Sequence, residues 1–377
     1  MQTKVFAFED QDWRVGIPAL EDLEPQLVLA FLGAAQSRNP EPVAALRKRF
    51  PAALVASCST GGEIAGVDVF DEALVGAAIR FDAARVRAHI VDLAAAGGDA
   101  EAGRVLADAL LEPDLKAVLI LGDGTNLNGT ALIEGLSTRL PKDIVVTGGL
   151  AGDGADFGET RVGLDGAPEP GKVVGIGLYG DTLRIGWGST GGWESFGPLR
   201  RITRSTANVL FELDGKPALD LYREYLGPLA DGLPGTALLF PLTIRPDASS
   251  ENDVVRTIVG IDEARNGLVF AGDIPEGWTA QLMRGTPDQL ADGAARAAAQ
   301  ACGDSPDSGL ALVVSCIGRK LMMGQRVADE TEEMAQVLNA MPTVGFYSYG
   351  EIAPHGVTQD RTLHNQTMTV TVIRERA

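Results

Sequence analysis

The sequence predicts an α/β (α+β) protein of two related lobes, with mixed, largely antiparallel sheets flanked by helices. Three observations carry that expectation. Some strand-like runs follow one another too closely for a helix to join them, whereas helical periodicities lie between others. An order of strand, glycine-rich loop, helix, strand and Gly-acid turn occurs over 117–153 and again over 311–351 at nearly the same length. At 377 residues the chain is beyond the size of one typical core, so two domains are expected.

The elements follow in chain order. Residues 73–82 and 84–91 are adjacent β-rich runs with room only for a tight turn, and 254–261 meets 267–271 across Asp262 to Gly267. Both pairs read as hairpins. Leu132, Ile133, Leu136 and Leu140 recur at helical spacing until Pro141 stops the run. Thr286-Pro287-Asp288-Gln289 is a capping box with Pro at the first helical position, opening an alanine-rich helix that should end before Gly303. From His364 to Arg374 the chain reads as a strand with Met368, Val370 and Val372 on one face. The Gly- and Ser-rich stretch from Gly188 to Gly197 marks the expected boundary between domains 1–195 and 196–377.

Composition narrows the function classes. Hydrophobic residues make up 45% and charged residues 22%, an ordinary globular balance. Asp plus Glu number 51 against 32 Lys plus Arg, a net charge of -19, and no basic run occurs, which argues against nucleic acid and anionic membranes as partners. The N-terminus turns acidic before a signal-peptide core could form, and no apolar run has membrane-spanning length, so a cytoplasmic protein is expected. Three cysteines, Cys58, Cys302 and Cys316, are an odd number and suit a reducing compartment. With no CxxC and only His89, His355 and His364, a multi-histidine or zinc site is not expected.

One pattern recurs where strands end: an apolar run, a few small or aromatic residues, then glycine and an acid. It gives Gly61-Gly62-Glu63, Gly152-Asp153 and Gly350-Glu351. Glycine there allows positive φ or close backbone approach, and the turn aims the carboxylate. Glu63, Asp153 and Glu351 could bind a ligand amine or hydroxyl, or cap backbone N–H groups. Catalytic motifs fall short. The GxGxxG matches at Gly175–Gly180 and Gly186–Gly191 lie in strand-like runs and do not open helices, which makes them packing glycines rather than a dinucleotide fingerprint. Around Ser189 and Ser348 the first glycine of a nucleophile elbow is missing. Cys58 and Cys316 end apolar strands; each reads as a buried apolar side chain, with a nucleophilic thiol as the alternative.

The chain resembles FIST-domain proteins. Cys58 to Ile64 and Gly148 to Asp153 look like the N-terminal FIST module; 208–222, 270–277, Phe346 to Ile352 and His364 to Thr367 look like the C-terminal one. The resemblance implies a non-enzymatic sensor of a small ligand, such as an amino acid or a derivative. It implies output through a separate signalling partner such as a histidine kinase or a cyclic-dinucleotide enzyme. By position it makes Cys58, Glu63, Asp153, Tyr347, Tyr349, Glu351, His364 and Asn365 the candidate ligand site. Its alternative is a haem-dependent nitric oxide sensor with His364 as the candidate iron ligand; a cysteine-dependent enzyme is a further alternative.

Overall fold

Three parallel strand pairs organise the chain. They are Leu27–Leu32 with Leu54–Ser59, Leu115–Gly122 with Val145–Leu150, and Leu310–Cys316 with Thr343–Ser348. The structure, a computed structural model, describes residues 1–9, 12–15, 23–303 and 309–376. Every other strand pairing among the described residues is antiparallel, so the sheets are mixed and largely antiparallel, flanked by helices, as the sequence predicts.

Each parallel pair is the centre of a unit built on one plan. A crossover containing a helix joins the two parallel strands, as right-handed strand twist and the reach of the chain require. These crossover helices include Glu41–Arg49, Gly129–Ser137 and Ala328–Leu338. A return strand then runs antiparallel on the other side of the first strand: Leu74–Arg80, Lys172–Tyr179 and Met368–Glu375. Outside it lies the strand that opens the unit: Gln2–Glu9, Arg85–Asp92 and Leu183–Thr190. The two copies legible in the sequence are the second and third units; the first had left only its Gly-acid turn as a signal.

The units are interlocked by strand exchange. After its second parallel strand, each unit sends a short strand to the edge of another: Glu63–Ala65 pairs with Thr343–Ser348, Val162–Leu164 with Leu54–Ser59, and Gly350–Pro354 with Val145–Leu150. The three exchanges close a ring. The long parallel strands are buried on both faces, which explains their near-continuous apolar sequences.

Between the opening strand of the third unit and the helix Pro287–Cys302, the chain inserts an eight-stranded sheet that includes Glu194–Thr206, Val254–Arg256 and Thr279–Arg284, with its own core around Phe270 and Tyr222. The helix Pro287–Cys302 that follows begins with the expected capping box, Thr286 with Gln289, and ends before Gly303. It lies so close to Leu183–Thr190 that a Cβ on Gly186 would stand 1.9 Å from the Ala301 carbonyl oxygen, which gives this glycine of the GxGxxG match a packing role.

Two expectations are corrected. Strands Leu74–Arg80 and Arg85–Asp92 do not form a hairpin; the first pairs with Leu27–Leu32 and the second with Lys172–Tyr179. The turn between them passes the chain from one unit to the next, and the Glu375 carboxylate fixes it by accepting from the N–H groups of Asp82, Ala83 and Ala84. The final strand is interrupted: Arg361–His364 joins the second unit's sheet, and Met368–Glu375 the third's. Periodicity could not reveal either crossing, because burial along a strand reports which of its faces are covered and not which strand it pairs with. The hairpin expected of 254–261 with 267–271 forms over Ile258–Asp262 and Gly267–Phe270, whereas Val254–Arg256 is a separate strand that pairs with Leu242–Arg245.

Candidate functional site

The Gly-acid loops meet through their backbones. Gly61 N–H donates to the Tyr347 carbonyl at 2.7 Å, Gly152 N–H to Ser59 at 3.0 Å, and Tyr349 N–H to Leu150 at 3.2 Å, so each unit's turn is bonded to a different unit. Glycine is needed here: a Cβ on Gly152 would stand 2.7 Å from the Gly61 nitrogen.

The carboxylates turn away from this ring. Glu63 shares a hydrogen bond with Thr60 Oγ1, three residues before it, and accepts from Ala73 N–H at 2.9 Å. Glu351 shares one with Ser348 Oγ at 2.7 Å, again three residues before it, and accepts from Thr367 N–H at 3.1 Å and Oγ1 at 2.9 Å. Ala73 and Thr367 immediately precede the return strands of their units. The two glutamates therefore pin equivalent points. Both are fully buried, and burial pushes each carboxyl from 4.5 up to about 8.

In the second unit the equivalent N–H belongs to Gly171, and Asp123 rather than Asp153 accepts it, at 2.6 Å. Burial alone would raise the Asp123 carboxyl, but bonds from Gly171, Thr160, Asn126 and Thr125 hold it below its ordinary value. Asp153 is thereby available for a different task. Its Oδ2 accepts from Gly158 and Glu159 N–H, both at 2.8 Å, and its Oδ1 accepts from the Tyr349 hydroxyl. The Phe157 N–H donates to the same hydroxyl at 3.2 Å, and the Phe157 ring stacks on Tyr349 with centroids 4.6 Å apart.

Tyr349 and Phe157 wall a chamber of about 230 Å³ where the second unit, the third unit and the inserted sheet meet. Leu127 and Leu150 come from the second unit, Cys316 and Ile317 from the third, and Leu238, Thr257 and Val259 from the insertion. Phe157, Leu238 and Val259 also line an outer cleft of about 490 Å³, at whose mouth Leu321 is exposed. The chamber is mostly apolar with a few polar groups. Thr125 Oγ1 is held by Asp123, whereas Thr257, 3% exposed, has no hydrogen-bond partner for its hydroxyl among the described residues. Burial, and then the nearby Glu351, push the Cys316 thiol well above its ordinary value.

Of the eight residues that the family resemblance made the candidate ligand site, Tyr349 lines the chamber and Asp153 holds it in place; the others lie elsewhere. Cys58 is wholly buried among apolar side chains, its thiol pushed up by burial. Tyr347 donates to Glu330 at 2.7 Å, in a buried network where Glu330 is also bound by Arg319 at 2.8 Å and by Ser315. His364 bonds the Ala353 carbonyl through Nε2 at 3.2 Å and stacks near His355; burial pushes its imidazole down to about 3. Asn365 is fully buried and neither atom of its amide has a partner among the described residues; next to it, the Gln366 amide donates to the Leu238 carbonyl in the chamber wall. Sequence reasoning missed Phe157 and Thr257, which carry no motif, and singled out Cys316 as a buried strand end or a nucleophilic thiol but not as part of a ligand site.

These residues do not fit haem. No histidine lines the chamber, His364 is turned to a backbone carbonyl, and the Cys316 thiol is held protonated.

Comparison with known families gives the context. The FIST N domain matches residues 26–216 and the FIST C domain residues 218–354. The chain belongs to the FIST-domain family. FIST domains are associated with signal-transduction sensors. Among curated relatives, an uncharacterized protein of Mycobacterium bovis is 28% identical over 262 residues, covering 65% of this chain and 66% of the relative. An uncharacterized protein of Mycobacterium tuberculosis is 28% identical over 270 residues, covering 67% and 66%. The match thus spans slightly less than two thirds of these relatives' own length. A solved structure, cyanuric acid hydrolase from A. caulinodans, aligns over 78% of this chain and 100% of its own at 10% identity, but the TM-score of 0.18 is too low to bear on fold or function. Among the described residues no helix is long and apolar enough to cross a membrane.

Proposed function

We propose that this FIST-domain protein is a non-enzymatic sensor and that its ligand occupies the chamber between Tyr349, Phe157, Thr257 and Cys316. The observation that carries this reading is the Thr257 hydroxyl, nearly fully buried and without a partner among the described residues, in the wall of a mostly apolar cavity. Buried hydroxyls are satisfied as a rule, so a ligand that supplies one hydrogen bond and an apolar body would complete the site. The size suits a metabolite on the scale of an amino acid derivative with an apolar side chain; a longer apolar tail would extend into the outer cleft. Cys316 would serve as a neutral contact, since burial and the nearby Glu351 both hold its proton.

Sensing follows from where the chamber lies. Its walls come from three separate parts of the chain, so a ligand that fills it would favour one arrangement of the three over others. The output would then pass to a separate partner, such as a histidine kinase or a cyclic-dinucleotide enzyme, in the cytoplasm.

A thermal-shift screen of the full chain against apolar amino acids, their derivatives and short acyl compounds tests the reading. At least one compound should raise the melting temperature saturably, and Thr257→Val should weaken its binding by about ten-fold, the loss of one good hydrogen bond. Wild-type binding unchanged by Thr257→Val and by Cys316→Phe, which fills the chamber, would place the ligand elsewhere.

A further inference from the structure

Beside the strand Val254–Arg256 lies another cavity, of about 320 Å³, lined by Arg256, Arg361 and Trp278 and separate from the chamber proposed to hold the sensed ligand. Arg256 is only 5% exposed. Three carbonyl groups hold its guanidinium: Asp273 accepts from Nε at 3.1 Å, and Leu363 and Val255 accept from Nη1 at 2.9 and 3.3 Å. Among the described residues its Nη2 donates no hydrogen bond and no carboxylate lies within ion-pair distance. Arg361, half-buried, is held in the same manner, by the carbonyls of Ile144, Leu140 and Pro141, again without an ion pair among the described residues.

Carbonyl dipoles orient a guanidinium but do not neutralise it, and buried charges in folded proteins are as a rule paired. Burial accordingly pushes the Arg256 guanidinium down to about 10, an effect that the nearby Asp273 opposes only in part. The acids around the cavity do not supply the missing partner. Asp273 accepts from the Asn128 amide at 3.0 Å, while Glu134 and Asp360 are exposed at the rim, where water screens them. The half-buried Trp278 offers an apolar wall beside the two cations.

We propose that this cavity binds a small organic oxyanion, a carboxylate or phosphate, on Arg256 and Arg361, with its organic part against Trp278. Guanidinium groups match both headgroups in shape and donor geometry. Arg256 and Thr257 are successive residues and line the two different cavities, so the backbone that presents the anion site also forms a wall of the inner chamber.

The test uses the full chain with sodium phosphate and sodium benzoate, each compared with sodium chloride at equal ionic strength. One or both should raise the melting temperature saturably by about 2 °C, as a ligand that binds only the folded state does. Which of them does so identifies the headgroup. Benzoate should also change tryptophan fluorescence, and Trp278→Phe should remove that change. Arg256→Met should abolish the shift; should that variant fail to fold, Arg361→Gln, at a half-buried position, should weaken the response by about ten-fold. A wild-type chain that responds to neither anion beyond chloride, or an Arg361→Gln chain that responds as wild type does, overturns the proposal. Loss of the chamber ligand in Thr257→Val has no bearing on this result, so the two sites stand or fall separately.

Discussion

The turns after Leu54–Ser59 and after Val145–Leu150 occupy matching places in the first and second units, yet their acids do different work. Glu63 pins the N–H that precedes its unit's return strand, and Glu351 does the same in the third unit. In the second unit Asp123 has taken over that contact, and Asp153 instead ties the 153–160 loop to the Tyr349 hydroxyl at the chamber wall. A repeated structural device was thus released at one copy. The released copy frames the cavity.

Removing the acids one at a time is the strongest way to break this comparison. Asp123→Ala should be the most damaging, since it removes at once the acceptor of the Gly171, Thr125 and Asn126 N–H groups and of the buried Thr160 hydroxyl; a loss of about 4 kcal/mol in urea unfolding is expected. Glu63→Ala and Glu351→Ala should each lose about 3 kcal/mol, because each leaves a buried N–H unpaired and a small void. Asp153→Ala should lose only about 1 to 2 kcal/mol, since the N–H groups of Gly158 and Glu159 can turn to water, but it should weaken ligand binding in the chamber. An Asp153→Ala chain as unstable as Asp123→Ala would mean that the two acids share one role.

The pH dependence sharpens the same contrast, because the pins carry opposite signs. Glu63 and Glu351 have carboxyls raised from 4.5 to about 8, so the unfolded chain gives up these protons first. Their contribution is therefore fully present below pH 4.5, falls as pH rises towards 8, and levels off beyond it. The stability of wild type relative to Glu351→Gln should follow that course, with a total change of up to about 4 kcal/mol. Asp123, whose carboxyl is lowered, contributes stability above its ordinary value of 3.8 that is lost as pH falls through the folded value. Wild type relative to Asp123→Asn should therefore gain stability as pH rises from 2 to 4. Denaturant titrations across pH 2 to 9 measure both curves; parallel curves would remove the distinction between the pins.

Tyr349→Phe is expected to have the smallest effect. It removes the hydroxyl that joins Asp153 to the Phe157 N–H while keeping the ring in the chamber wall, and should destabilise by about 1 kcal/mol. Hydrogen exchange of the Phe157 amide should speed up more than that of Gly171, which belongs to the pin on Asp123. Equal acceleration at both amides would show that the loop and the pin open together.

Much of this architecture is legible in the sequence, and the illegible part has identifiable causes. Glycine followed by an acid marks the turns because close approach, as at Gly152, admits no other residue, and a buried acid must find donors. The helix Pro287–Cys302 is legible because its cap and its stop are local. The direction in which a carboxylate points is not local: Glu351 reaches Thr367, sixteen positions on, and Asp123 reaches Gly171 across forty-eight. The family motifs likewise singled out His364 and Tyr347 by position, whereas packing placed one against a carbonyl and the other on Glu330.

By itself, then, the sequence determined the α/β class, the repeated unit, the capped helix and the three glycine turns, since each rests on periodicity or on the conformational freedom of a few neighbouring residues. Tertiary structure alone decided that the exchanged strands close a ring, that Asp123 rather than Asp153 became the third pin, and that Thr257, Phe157 and Cys316 face one chamber. Those outcomes depend on which strand edge lies next to which and on which buried donors remain unpaired. Only the packed chain defines either.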